Sequence, residues 1–191
     1  MKFILVDTNT DLIREWNNAF KDVMDQHEIT IVHGSIFTQP VNAIVSPGNS
    51  FGYMDGGLDY YITKLLGSDI QAKLQEHIKI NTIGELLVGQ AVLIETSHDT
   101  ISHVVCAPTM RVPMPLGATS VNVYLAAKAI FSLMLNHRHL TVAIPGLGTG
   151  AGRVPVEMCA KQMRQALDDV MHSYYPPGWR LASIHHNSLM S

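Results

Sequence analysis

Two glycine-rich stretches hold the residues whose types and spacing could do chemistry. The first sets Asn49, Asp55, Gly56, Gly57, Leu58 and Asp59 behind a short apolar run, Val41 to Val45, and ahead of a helical pattern, Leu58 to Leu66. The second places Gly146, Leu147, Gly148, Thr149, Gly150, Ala151, Gly152 and Arg153 behind another apolar run, Val142 to Ile144. A strand that runs into a glycine loop and then a helix is suited to anions. Few side chains block close approach, and the first helical N–H groups lack intrahelical partners. Two such loops in one chain of 191 residues suggest a phosphorylated ligand gripped from two sides. An Asp at a helix N-terminus has its pKa lowered by the dipole and the N–H groups. Asp59 is therefore expected to accept protons poorly and to serve as a fixed negative charge that orients a water.

Each feature also has a plainer reading. Asn49 can close a turn in the left-handed conformation, and Asp59 can cap its helix. Gly146-Leu-Gly-Thr-Gly-Ala151 satisfies the dinucleotide fingerprint by letter. That fingerprint belongs to a first βαβ unit, and here about one helix and one strand remain after it. The acid expected about twenty residues on would be Asp168 or Asp169, both inside a helix. The Walker pattern fails because no Lys-Ser/Thr follows the glycines. Arg111, in the stretch Pro108 to Pro115, could meet a phosphate or simply be solvated. Ten histidines are present, but His185 and His186 are adjacent, and His98, His103, His137 and His139 lack i, i+4 ligand spacing, so neither a metal site nor a cofactor is expected. Met134, Met158, Met163 and Met171 read as core filler.

The elements that position these loops follow from periodicity. Strands are expected at Lys2 to Val6, Ile29 to Val32, Val41 to Val45, Gly89 to Glu95, His103 to Ala107 and Leu140 to Ile144, with Trp179 to Ile184 as an edge strand. Helices are expected after Thr8 or Thr10, from about Asp59, over Asp69 to Ile80, over Thr119 to Asn136 as the longest, and over Val154 to Tyr174. The proline stretch cannot be regular structure. Alternating strands and helices imply an α/β domain with a mainly parallel sheet and helices on both faces. Ligands of such sheets bind beyond the carboxyl ends of the strands, where both glycine loops and the proline loop lie.

Composition narrows the functional classes. The hydrophobic fraction is 47% and the charged fraction 15%, in segments too short and punctuated to span a membrane. Residues 1–191 read as one domain. Two cysteines make no disulfide framework, so a reducing, cytoplasmic setting is expected. The formal net charge is −3 with no basic run, so general nucleic-acid binding is not expected.

Four motifs, in order and spacing, resemble the macrodomain family, which binds ADP-ribose. They are Gly34-Ser35-Ile36, the strand ending Ser46-Pro-Gly-Asn49, Asp55-Gly56-Gly57-Leu58-Asp59, and Gly148-Thr149-Gly150-Ala151-Gly152. The resemblance covers most of the chain from about His33 onward, with Met1–Phe20 added before it. It implies a three-layer α/β/α fold with a mixed, mainly parallel sheet of about six strands. It also implies that Ile36 meets adenine through its backbone, Asn49 the distal ribose, and the glycine loops the diphosphate. Asp59 matches the acid that positions water at the anomeric carbon in hydrolytic members, which would make Asp59 and Asn49 the catalytic pair. Three positions depart from the family pattern. Ser35 stands where an acid bonds the adenine amino group, Ser46 stands for the first Asn of Asn-Ala-Ala-Asn, and Gly152-Arg153 replaces a late-loop aromatic. Three functions follow: an ADP-ribosyl hydrolase, an ADP-ribose reader without catalysis, and an NAD- or nucleotide-binding enzyme using Gly146 and Gly148.

Overall fold

In the first strand, β1 (Lys2–Asp7), alternate residues are buried on opposite sides, which only a sheet covered on both faces allows. The structure, a computed structural model, describes residues 1–117 and 119–191. The remaining elements are α1 (Thr10–Phe20), β2 (Glu28–His33), β3 (Ala43–Ser46), α2 (Gly57–Leu66), α3 (Asp69–Asn81), β4 (Val92–Glu95), β5 (His103–Cys106), α4 (Asn122–Asn136), β6 (Thr141–Ile144), α5 (Val156–Met171) and α6 (Trp179–Ser188). A 3-10 turn, Ile36–Thr38, follows β2.

The six strands are ordered β2-β1-β6-β3-β5-β4, and all neighbours are parallel except β4, which runs antiparallel to β5. Phe3 and Leu5 of β1, Val45 of β3 and Ile144 of β6 face one apolar layer with Leu12, Trp16 and Phe20 of α1 and the inner faces of α4 and α5. Ile4, Val6, Ile44 and Val104 face the other, with Ile62 and Leu66 of α2 and Ile70, Leu74 and Ile78 of α3. The result is three layers, α/β/α, with a mixed and mainly parallel sheet, as expected. Side chains such as Trp16, Phe3 and Phe131 are wholly buried, each contributing roughly 1.5–3 kcal/mol over an exposed position.

Several boundaries differ from the sequence reading. The cap of α1 is Asn9, whose side chain accepts from Asp11 N at 2.9 Å and Leu12 N at 3.3 Å. Helix α4 starts at Asn122, so α5, with 16 residues, is the longest. The expected edge strand from Trp179 is instead helix α6. Its apolar residues fit both periods: Trp179 and Leu181 alternate, but Leu181 and Ile184 are also one helical turn apart. None of its own residues is buried. Polar contacts tie it down: buried Asp169 lies 2.9 Å from His185 Nε2, and Gln162 Nε2 donates to Leu189 O at 2.8 Å.

Candidate functional site

The carboxyl ends of β2, β1, β6, β3 and β5 lie on one edge of the sheet, and the loops that leave them surround a cleft of about 690 Å3. That size suits a small organic ligand. Ser35, Ile36, Asn49, Asp55, Gly56, Gly57, Leu58, Asp59, Gly146, Gly148, Thr149, Gly150, Ala151 and Gly152 all line it. Leu147 does not; it is fully buried in the layer beneath. Arg153 is exposed outside the lining, with a left-handed φ of 53° that turns the chain toward α5.

The late loop is folded by its own glycines. Gly148 has φ 68°, and a Cβ at Gly152 would overlap the Gly148 carbonyl, so the loop can double back only with glycine there. Gly146 N donates to Asp7 Oδ2 at 3.1 Å, which ties the loop to the end of β1. Leu116 N donates to Gly152 O at 2.7 Å and ties it to the proline loop. Gly150 is exposed, with no atom within 4 Å of where a Cβ would stand. Across the cleft, Gly56 and Gly57 are equally open at the start of α2.

Between these loops, Asn49 shapes the chain that crosses the cleft. Its Oδ1 accepts from Phe51 N at 3.1 Å and Tyr53 N at 3.3 Å, and its Nδ2 donates to Tyr53 O at 2.8 Å. Ser35 caps the 3-10 turn by accepting from Phe37 N at 3.3 Å. Arg111 is committed elsewhere: its guanidinium bonds both oxygens of Glu85, at 2.9 and 2.6 Å, and lies over the Phe51 ring. That pairing holds the Glu85 carboxyl below the usual range.

Asp59 overturns one expectation. Gly56, not Asp59, is the cap of α2, and the Asp59 side chain turns inward, only 7% exposed. Its Oδ1 accepts from Ser46 Oγ at 2.6 Å, and a Cβ on Gly48 would come within 2.6 Å of its Oδ2. Burial pushes its pKa up from 3.8 to about 6, with the Ser46 hydrogen bond opposing the rise. Desolvation therefore outweighs the hydrogen bond, and near neutral pH this carboxylate can accept a proton.

Asp7, Thr8, Phe37, Tyr53, Tyr61 and Thr109 also line the cleft and were missed from the sequence. Asp7 had a signal, being an acid that ends a strand at the same rim. The tyrosines had none, because Tyr53 reaches the cleft only through the packing of the 49–53 loop and Tyr61 only through the placement of α2. Gly52, with φ 69°, lets that loop pass close to α3, where a Cβ would come within about 3 Å of Leu74 and Ile78. Among the described residues, no group of three or more His, Cys, Asp or Glu side chains is arranged to hold a metal, and no helix is long and apolar enough to cross a membrane.

Comparison with known proteins bears on this geometry. An uncharacterized protein of Aquifex aeolicus is 37% identical over 137 residues, covering 71% of this chain and 78% of that one. A variant of the Oceanobacillus iheyensis macrodomain, solved with ADP-ribose, matches with a TM-score of 0.63 at 16% identity, over 82% of this chain and 88% of that one. The macrodomain of Mycobacterium tuberculosis DarG matches with a TM-score of 0.58 at 19% identity, over 73% and 87%. At these identities the two structures speak for the fold. The family model of the Macro domain matches residues 45–163, more than half of the sequence, and the chain belongs to the macro domain family.

Proposed function

We propose that this chain binds ADP-ribose or an ADP-ribosylated substrate in the cleft and hydrolyses an ADP-ribosyl bond there. The observation that carries the proposal is the pair of open glycine loops facing one another, with Asp59 buried in the floor between them. In this reading Gly56, Gly57, Gly148 and Gly150 offer backbone N–H groups to the diphosphate, which needs no cationic side chain. Ser35 and Ile36 stand at the adenine end, and Asn49 and Asp59 at the distal ribose. The solved Oceanobacillus relative with ADP-ribose supports that choice of ligand.

The chemistry follows from Asp59. Loop N–H groups fix the diphosphate and hold the ribose so that positive charge can develop at the anomeric carbon, as in an oxocarbenium ion. A water attacks that carbon as the bond to the carried group breaks. Asp59 orients the water and takes its proton, a role suited to a pKa near 6. A second reading, a reader without turnover, draws on the depth of Asp59 and its engagement with Ser46. Calorimetry with ADP-ribose, NAD and AMP, followed by turnover assays on protein-linked, nucleic-acid-linked and acetylated ADP-ribose, separates these. Binding of NAD with none of ADP-ribose would overturn the assignment. Binding without turnover on any linkage would leave the reader.

A further inference from the structure

We propose that Ser46 is the positioning residue of this site, its hydroxyl fixing the Asp59 carboxylate by donating to Oδ1. The inference rests on the proposed function for its catalytic meaning but not for its structural test. Ser46 ends β3 and faces the same side of the sheet as Ile44, toward α2 and α3. It is 2% exposed, and its register partner on β5 is Cys106. Asp59 comes down onto this pair from the first turn of α2. Among the described residues, Ser46 is the one group that hydrogen-bonds the Asp59 side chain.

That single bond decides which way the carboxylate faces. With Oδ1 held by Ser46, Oδ2 lies under Gly48. Gly48, Asn49, Tyr53 and Asp59 line both the cleft and a small cavity behind it. Oδ2 therefore sits in the wall between the two, and its hold by Ser46 aims it at Gly48 on the cleft side. A free carboxylate in the same space could rotate either oxygen toward the cavity and lose that aim. The bond also favours the charged form, against the burial that disfavours it. The titratable groups around Asp59 are Cys106 of β5, whose thiol burial pushes up, and Tyr53 of the loop. Against the burial of Asp59, the Ser46 hydroxyl is the group among the described residues that favours ionisation.

The test follows the Asp59 carboxyl carbon by NMR through a pH titration in the wild type, Ser46→Ala and Ser46→Thr. Ser46→Ala is expected to move the Asp59 midpoint upward by about half a pH unit or more, and Ser46→Thr, which keeps the hydroxyl, to restore it. The acid limb of the pH–rate profile should move with the midpoint, and kcat should fall more than KM rises. An unmoved midpoint in folded Ser46→Ala overturns the proposal. If Ser46→Ala does not fold, Ser46→Cys, a weaker donor, takes its place with the same expectation. A wild type that binds no ADP-ribose would sink the functional reading while leaving the titration to judge Ser46.

Discussion

Replacing Asp59 with Asn should make the protein more stable at neutral pH while removing the proposed base. The amide keeps the shape of the carboxyl group, and its oxygen can still accept from Ser46 Oγ. What disappears is a charge held against burial. The rise from 3.8 to about 6 is about two pKa units, which corresponds to roughly 3 kcal/mol between the two protonation states. Because the folded pKa lies above the unfolded one, the contribution of Asp59 to stability is fully present below the unfolded value and is lost as pH rises through about 6. Wild type and Asp59→Asn should therefore match near pH 4 and separate by about 2–3 kcal/mol near pH 7.5. For a chain of this length that is roughly 5–10 °C in Tm. Thermal unfolding of both proteins across this range measures it. A variant no more stable than wild type near pH 7.5, or one whose advantage does not shrink toward pH 4, would refute the claim that Asp59 ionises against its surroundings.

Other expectations concern the ligand. Gly150→Glu should abolish ADP-ribose binding by bulk and like charge and yet leave the melting temperature near wild type, since nothing lies within 4 Å of the new Cβ. Calorimetry beside thermal unfolding checks both parts. Asp59→Ala should lose turnover far more than ADP-ribose affinity, by about 10²-fold in rate for a loss near 3 kcal/mol in the transition state; equal losses in the two would reduce Asp59 to a contact. Ser35→Asp keeps a residue able to cap the 3-10 turn, so it should fold and tighten ADP-ribose by about 1 kcal/mol, with a larger preference over the inosine analogue. Weaker binding in that variant would point to a ligand with more negative charge or another base.

The rim of the sheet was legible because each strand that reaches it announces its end with Gly, Pro or a short polar residue. Val45-Ser46-Pro47-Gly48 and Ile144-Pro145-Gly146 do so within four residues. The layers were legible as well, since runs such as Ala43–Ser46 and Thr141–Ile144 are apolar enough to need cover on both sides. What could not be read depends on partners far apart in sequence. The state of Asp59 is set by Ser46, thirteen residues earlier, and by how deeply α2 sinks toward β3. Helix terminus and burial push its pKa in opposite directions, and only depth decides between them. Arg111 pairs with Glu85, twenty-six residues away, and the 49–53 loop sets the Phe51 ring against the guanidinium, neither of which local sequence shows. Helix α6 misled because Trp179, Leu181 and Ile184 satisfy two periods, and what holds it is polar contact with α5 together with Leu189, at its end, buried in the apolar layer.

The position of β6 has a consequence for how the chain is made. β6 lies between β1 and β3, so without it the sheet is two separate ribbons, β2-β1 and β3-β5-β4. Both ribbons leave the ribosome before Thr141 does, each with an inner edge of unpaired backbone groups that can recruit another chain. The last strand to emerge closes both edges at once, and the loop that follows it, Gly146 to Gly152, is the piece that joins the Ser35 side of the cleft to the Asp59 side. Nascent chains stalled before β6 should therefore be sticky and without a cleft, and a ligand that spans the cleft would favour the finished insertion over the open pair of ribbons.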